Sequence, residues 1–333
     1  MAPVDENSLP TAIGFIGLGA MGKPMTMNLA ERLPPQSRIY VHDVVVGAMD
    51  ELCASSIGVF SKCKDAKEVA EKSDVVLTML PEGSHVASVY LDPDSGIVAA
   101  LKSSPSSAPK LLIDSSTIDT ATSLRVKKQL KSSSPQTAFY DAPVSGGVLG
   151  AVNATIAFFL GCSPSDSNLQ RITTLLETMG SKVIPCGGPS LGLAAKLSNN
   201  YLSGIITIAT SEAMDMGMRA GIDAKTLASV FAAGTAQNTI CDVFNPVPGV
   251  CPKAPSSSGY EGGFRIQLMR KDIGLAVDMA RRVGARTALG ASGLGVYVAA
   301  SEAEDCKNLD SRVVFRYLGG MEDWQEPNRE TSK

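Results

Sequence analysis

Histidine is nearly absent from this chain: among 333 residues only His42 and His85 occur. A multi-histidine metal site has almost nothing to draw on, and a histidine base has two candidates at most. The seven cysteines (Cys53, Cys63, Cys162, Cys186, Cys241, Cys251, Cys306) are odd in number, scattered, and form no C-x-x-C pair. That pattern argues against a disulfide framework or a zinc site and for free thiols in a reducing compartment. Long apolar runs are missing too. The longest uncharged stretch in the middle, 197–211, carries two asparagines and several hydroxyls, so no membrane span is expected and a soluble protein is. Positive charge is not in excess: a net charge of −3 leaves no basic footprint for nucleic acid. The first ten residues lack arginine and include Asp5 and Glu6, unlike a mitochondrial transit peptide.

What the chain does have is a glycine-rich turn between a strand and a helix. Ile13-Gly14-Phe15-Ile16 reads as the strand and Gly17-Leu18-Gly19-Ala20-Met21-Gly22 as the turn. The helix runs through Met25, Leu29 and Ala30, and a second strand, 38–43, ends on Asp43. The three glycines serve different ends. Gly17 permits the tight turn, Gly19 lets the backbone approach a pyrophosphate, and Gly22 allows close helix-to-strand packing. The phosphates would face the positive end of the helix dipole. Asp43 follows Gly22 by 21 residues, the spacing of an acid that accepts ribose hydroxyl hydrogens. The pattern predicts a dinucleotide site and a redox enzyme.

From Ile13 to about Pro185, strand signals alternate with helical ones. The nearly continuous apolar runs 74–81, 110–114, 138–143 and 154–160 suit parallel strands covered on both faces. The Ser/Pro-rich segment 103–109 reads as a surface loop without chemistry. After Cys186-Gly187-Gly188-Pro189 helices take over: 191–220, interrupted beyond its first turn only by Gly204 and Gly217 and apolar nearly all round at its centre, then 264–283 and 293–303. A helix apolar all round must be buried, between domains or between subunits. The expected fold is α/β: an N-terminal Rossmann-type doubly wound sheet followed by an all-α C-terminal domain. The expected boundaries are a disordered segment at 1–11, a dinucleotide-binding domain at 12–187, a helical domain at 188–322 that opens with a long connecting helix, and a tail at 323–333.

Three segments end where parallel strands deliver ligand contacts: Leu80-Pro81, Asp114 to Asp119, and Asp141 to Gly147. In the last, Ser145-Gly146-Gly147 offers a hydroxyl and exposed backbone N–H groups, a cradle for a carboxylate, or else a plain turn. Lys196 and Asn200 lie four residues apart on one helical face among Leu193, Ala194, Ala195 and Leu197. An ammonium in apolar surroundings is a usable proton exchanger, though a lysine snorkelling to the helix edge has the same spacing. Lys271 and Asp272 flank a buried stripe, where a charge needs a partner; a structural ion pair would supply one.

Taken together these motifs resemble the β-hydroxyacid dehydrogenase family over roughly residues 12 to 320. The resemblance rests on the turn 17–22 with Lys23-Pro24-Met25 and Asn28-Leu29, on Asp114-Ser115-Ser116-Thr117, and on the segment 141–147. It extends to the segment 192–200 and to Lys271-Asp272-Ile273-Gly274-Leu275-Ala276. The loop Asn245 to Val250, with Gly262-Gly263-Phe264, looks like the hydroxyisobutyrate branch. The resemblance implies NAD as cofactor, a short hydroxyacid as substrate, no metal, and a homodimer or homotetramer. It implies that Lys196 is the catalytic acid/base, that Ser145, Gly146, Gly147 and Asn200 hold the substrate, and that Leu80, Pro81, Thr117 and Lys271 join the glycine turn and Asp43 at the cofactor. It also implies a mitochondrial setting, with a cytoplasmic one as the alternative. His85 departs from it, standing where the family commonly has an asparagine near the cofactor. Reductases of the same fold acting on glyoxylate or succinic semialdehyde share these motifs, and a non-catalytic dinucleotide sensor is a rival from another class.

Overall fold

The computed structural model describes residues 9–55, 57–103 and 109–325. Residues 104–108 of the Ser/Pro-rich segment, most of the segment expected to be disordered at 1–11, and most of the tail expected at 323–333 lie outside the described residues. By compactness the chain divides into two units, one reaching Lys196 and the other starting at Leu197.

In the first unit, strands and helices alternate. They run β1 (Ala12–Ile16), α1 (Gly22–Arg32), β2 (Arg38–His42), α2 (Val46–Cys53), β3 (Phe60–Lys62), α3 (Ala66–Lys72) and β4 (Val75–Thr78). Then come α4 (Gly83–Leu91), α5 (Ile97–Ser103), β5 (Leu111–Asp114), α6 (Thr120–Ser133) and β6 (Ala138–Asp141). The six strands form one parallel sheet in the order β3-β2-β1-β4-β5-β6. Because β1 lies between β2 and β4, the order reverses there, and the crevice beyond the carboxyl ends of β1 and β4 is where such sheets bind ligands. The period-2 alternation explains the apolar runs. Val75, Leu77, Leu111 and Ile113 pack on one face with Met25 and Leu29, while Val76 and Leu112 pack on the other with Val69, Val86 and Tyr90.

A smaller three-stranded sheet follows: β7 (Val144–Ser145), α7 (Gly147–Val152), β8 (Ile156–Leu160), α8 (Leu169–Leu176) and β9 (Gly180–Pro185). The apolar run 154–160 lies in this sheet as β8, parallel to β9 as expected, and it also pairs antiparallel with the two-residue β7, which the sequence did not announce. The pairing continues back to the end of β6, where the Asp141 carbonyl accepts from Gly161 N at 2.7 Å and the Pro143 carbonyl from Phe159 N at 2.9 Å.

The helix α9 (Leu191–Arg219) is followed by α10 (Ala224–Ala233), α11 (Thr239–Asp242), α12 (Ile266–Arg282), α13 (Gly290–Glu302) and α14 (Val314–Tyr317). Apart from an isolated bridge between Arg265 and Asp310, the described residues after Pro185 pair no strands. The core of the second unit gathers Ile208, Met269, Ile273, Tyr297 and Val314, with a second cluster around Met214, Leu227 and Phe315. Gly204 and Gly217, which look like interruptions in the sequence, are contact points: a Cβ at Gly204 would lie 2.5 Å from Ile273 Cδ1, and one at Gly217 2.5 Å from Leu227 Cδ2. The all-round burial expected of α9 is not met within one chain, because Leu202 is 59% and Met216 71% exposed.

Candidate active site

The turn after β1 is shaped by what its glycines leave out. Gly17 has φ +94°, and a Cβ there would collide with the Met79 carbonyl; a Cβ at Gly22 would collide with the Gly17 carbonyl. Gly19 faces open space, with nothing within 4 Å of a would-be Cβ. Asp43, one residue past β2, draws this turn inward: its Oδ2 accepts from Leu18 N at 2.6 Å and its Oδ1 from Val45 N at 2.7 Å. A cavity of about 420 Å³ opens beside it, lined by Leu18, Gly19, Ala20, Pro24, Val45 and Ala48, with the Lys23–Glu51 ion pair at its edge. Open backbone, an acid and an adjacent cavity at a sheet reversal fit a dinucleotide. Ala20 and Met21 complete the turn into α1.

Beyond β4 and β5 a buried chain of hydroxyls sets the next loop. Tyr90 lies 3.0 Å from Thr78 Oγ1, which donates to Asp114 Oδ1 at 2.8 Å; Ser116 donates to the same oxygen through Oγ at 2.5 Å and N at 3.1 Å. Ser116 Oγ in turn accepts from Leu80 N at 2.8 Å. Leu80 is thereby fixed through Ser116, and Pro81 and Thr117 flank the two ends of this network in sequence. Burial pushes the Asp114 carboxyl up to about 6. Its Oδ2 and the Ser115 hydroxyl accept or donate no hydrogen bond among the described residues.

Ser145 closes β7, opposite Ala157 of β8, and Gly146 (φ +136°) and Gly147 (φ +64°) lead into α7. The two glycines are exposed and Ser145 is half-buried. The segment stands on the small sheet, next in the chain to β6.

On α9, Lys196 and Asn200 are one turn apart, 7% and 5% exposed. The Asn200 amide is oriented by its neighbours: Nδ2 donates to Asp272 Oδ2 at 2.6 Å and Oδ1 accepts from Asn199 Nδ2 at 3.0 Å. One N–H of Asn200 is thus committed to Asp272. Asp272, 2% exposed, also lies 3.3 Å from Lys271 Nζ through Oδ1. That contact is electrostatic, since Oδ1 accepts no hydrogen bond from the described residues. The ion pair anticipated at 271–272 is therefore present, and Asp272 joins Lys271 to Asn200.

His85 is exposed on α4, 3.7 Å from Glu82, and offers no buried base. No group of three His, Cys, Asp or Glu among the described residues could hold a metal. The parts played by Asp114, Asp141 and Asp272 are not evident in the sequence. Each acid stands inside a motif whose signal comes from other residues, and each has a partner 36, 49 or 72 positions away that leaves no local trace.

Comparison with known proteins bears on the whole arrangement. Residues 12–188 match the model for the NAD binding domain of 6-phosphogluconate dehydrogenase, and residues 191–318 match that for NAD-binding of NADP-dependent 3-hydroxyisobutyrate dehydrogenase. The chain is 38% identical over 313 residues to a probable mitochondrial 3-hydroxyisobutyrate dehydrogenase of Dictyostelium discoideum, covering 94% of this chain and 92% of that one. It is 37% identical over 286 residues to an NAD-dependent L-serine dehydrogenase of Pseudomonas aeruginosa, covering 86% and 90%. Among solved structures, Mycobacterium tuberculosis 3-hydroxyisobutyrate dehydrogenase with L-serine superposes with a TM-score of 0.83 at 35% identity, covering 93% and 99%.

Proposed function

The chain belongs to the 3-hydroxyisobutyrate dehydrogenase family and is an NAD-dependent oxidoreductase, and from that premise we propose that it oxidises 3-hydroxyisobutyrate to methylmalonate semialdehyde, a step of valine degradation, with Lys196 as acid/base. The observation that carries the reading is the pair Lys196 and Asn200. It places one ammonium-bearing and one amide side chain, both buried, on a single helical face. Lys196, as the neutral amine, takes the hydroxyl proton of the substrate. Asn200, its amide turned by Asp272, donates its second N–H to a substrate oxygen. Ser145 with the Gly146 and Gly147 amides receives the carboxylate, so the carbinol carbon is held in a fixed approach. Gly17 to Gly22, Asp43, Leu80, Pro81, Thr117 and Lys271 hold the dinucleotide. NAD supplies the hydride acceptor when bound.

A second reading, L-serine as substrate, is favoured by the L-serine dehydrogenase relative and by the L-serine in the neighbouring structure. L-Serine is also a β-hydroxyacid, with an ammonium where 3-hydroxyisobutyrate has a methyl group. Turnover of 3-hydroxyisobutyrate, L-serine, 3-hydroxypropionate, glyoxylate and succinic semialdehyde, read by NADH absorbance, separates these readings. The highest kcat/KM is expected for 3-hydroxyisobutyrate; a preference for L-serine replaces the first reading with the second, and no turnover at all revives the dinucleotide sensor. Lys196→Ala should bind NADH and lose about 10²- to 10⁴-fold in kcat. Near-normal kcat would refute the role of Lys196. The homo-oligomer is supported by the exposed Leu202 and Met216 on α9 and is tested by light scattering. The mitochondrial setting is supported by relatives such as the Dictyostelium protein, beside bacterial ones, and is tested by cell fractionation.

A further inference from the structure

The helix bearing Lys196 begins in a socket built from residues that touch neither ligand in the reading above. Asp141, at the carboxyl end of β6 and 2% exposed, accepts from Ser190 N through Oδ1 at 2.7 Å and from Leu193 N through Oδ2 at 2.9 Å. The carboxylate thus takes up two of the amide hydrogens that a helix start leaves without intrahelical partners. It does so from another element, 49 and 52 residues away in sequence. Ser190 adopts φ +61°, a conformation rare outside glycine, and its hydroxyl donates to the Thr120 carbonyl at 3.3 Å. Two glycines make room for the joint. A Cβ at Gly161 would collide with the Asp141 carboxylate, and one at Gly192 with the Phe159 carbonyl of β8. The first turn of α9 is therefore held in position and in rotation about its axis, and Lys196 follows Leu193 by three residues on that turn's continuation.

We propose that Asp141, with Ser190, is a positioning residue for catalysis: it sets the place and rotation of Lys196 by clamping the first turn of α9 to the end of β6. This rests on Lys196 being the acid/base. A helix start needs only a local cap to be stable, and a serine, threonine or aspartate at 190 in extended conformation would supply one. Here the cap comes from the sheet and the residue at the start is strained. The structure spends stability on a joint whose effect is to index the helix against the strands.

The test measures kcat, KM, NADH affinity by fluorescence, the primary isotope effect with carbinol-deuterated substrate, and melting temperature. It compares wild type, Asp141→Asn, Ser190→Gly and Lys196→Ala. Asp141→Asn can accept only one of the two N–H groups. Ser190→Gly keeps the backbone N–H and suits φ +61°, so it folds, but it frees the joint. Misplacement of a reacting group by about 1 Å costs on the order of 10²-fold. Asp141→Asn should accordingly lose roughly 10- to 100-fold in kcat, and Ser190→Gly a smaller factor. In both, NADH affinity and KM should stay near wild type and the isotope effect should rise, because hydride transfer becomes slower relative to other steps. Wild-type kcat in Ser190→Gly and in folded Asp141→Asn overturns the proposal, as does a fall in NADH affinity parallel to kcat, which would mark the joint as a stability cap alone. If Lys196→Ala is itself active, it is the acid/base reading that fails.

Discussion

At the scale of single residues, the proposed cofactor preference turns on Asp43. Its carboxylate accepts from Leu18 and Val45, both of which line the cavity by the glycine turn, and Val44-Val45-Val46 beyond it are exposed and supply no guanidinium. A 2′-phosphate placed there meets a negative charge, while a ribose 2′-hydroxyl meets an acceptor. NAD should therefore exceed NADP in kcat/KM, although one matching family model is described as NADP-dependent; equal or better use of NADP would show that Lys23 or another cation answers the phosphate. Asp43→Ser with Val44→Arg should move the preference toward NADP. This acid was legible because its spacing from the turn is a local property of strand-helix-strand chains. The Asp272 bridge between Asn200 and Lys271 was not. Residue 272 shows only as a charge beside an apolar stripe, and which partner faces it depends on how α9 and α12 pack.

Among elements, the β1-turn-α1 unit separates two uses of glycine. Gly22 is squeezed against the Gly17 carbonyl, so Gly22→Ala must push the helix from the turn and should lower both melting temperature and NADH affinity. Gly19 has room for a methyl group, but that room is where phosphates would approach. Gly19→Ala should thus melt within about 1 °C of wild type in the absence of cofactor while NADH affinity falls by about tenfold or more. Equal losses of stability in the two variants would contradict the division of roles. Helix α9 was legible almost to its ends because its composition runs unbroken by proline; α12 followed from its apolar spacing, and α13 was read from 293 where it begins at Gly290. The three-residue β3 was missed. Phe60-Ser61-Lys62 has one apolar side chain and becomes a strand because β2 offers an edge in register. The reversal of β7 was equally hidden, since two residues carry no periodicity.

For the whole molecule, ionisation couples to unfolding through Asp114. Its carboxyl is fully buried and holds its proton up to about pH 6, whereas in the unfolded chain it ionises near the ordinary carboxylate range. Between about pH 4 and 6 the native state binds more protons, so this residue's contribution to stability is present at low pH and lost as pH rises. Asparagine keeps the acceptor for Thr78 and Ser116 and cannot ionise. The stability of Asp114→Asn relative to wild type should therefore be more favourable at pH 8 than at pH 4.5, by about 2 kcal/mol. Denaturant titrations of both proteins at the two pH values decide it, and a difference independent of pH would mean the carboxyl ionises normally. Cys63, Cys162 and Cys306 give no such coupling near neutrality: burial pushes the first two up to about 11 and the third up to about 12.

The doubly engaged carboxylate at the glycine turn also limits how this lineage can change. On the reading that Asp43 meets the ribose, substituting it would remove, together with that contact, the acceptor that holds Leu18 and Val45. A descendant that loses the acid first would inherit a loosened turn together with a changed ribose contact. Cofactor choice would then be tied to the order of the glycine turn, so a change at 43 alone would alter both at once.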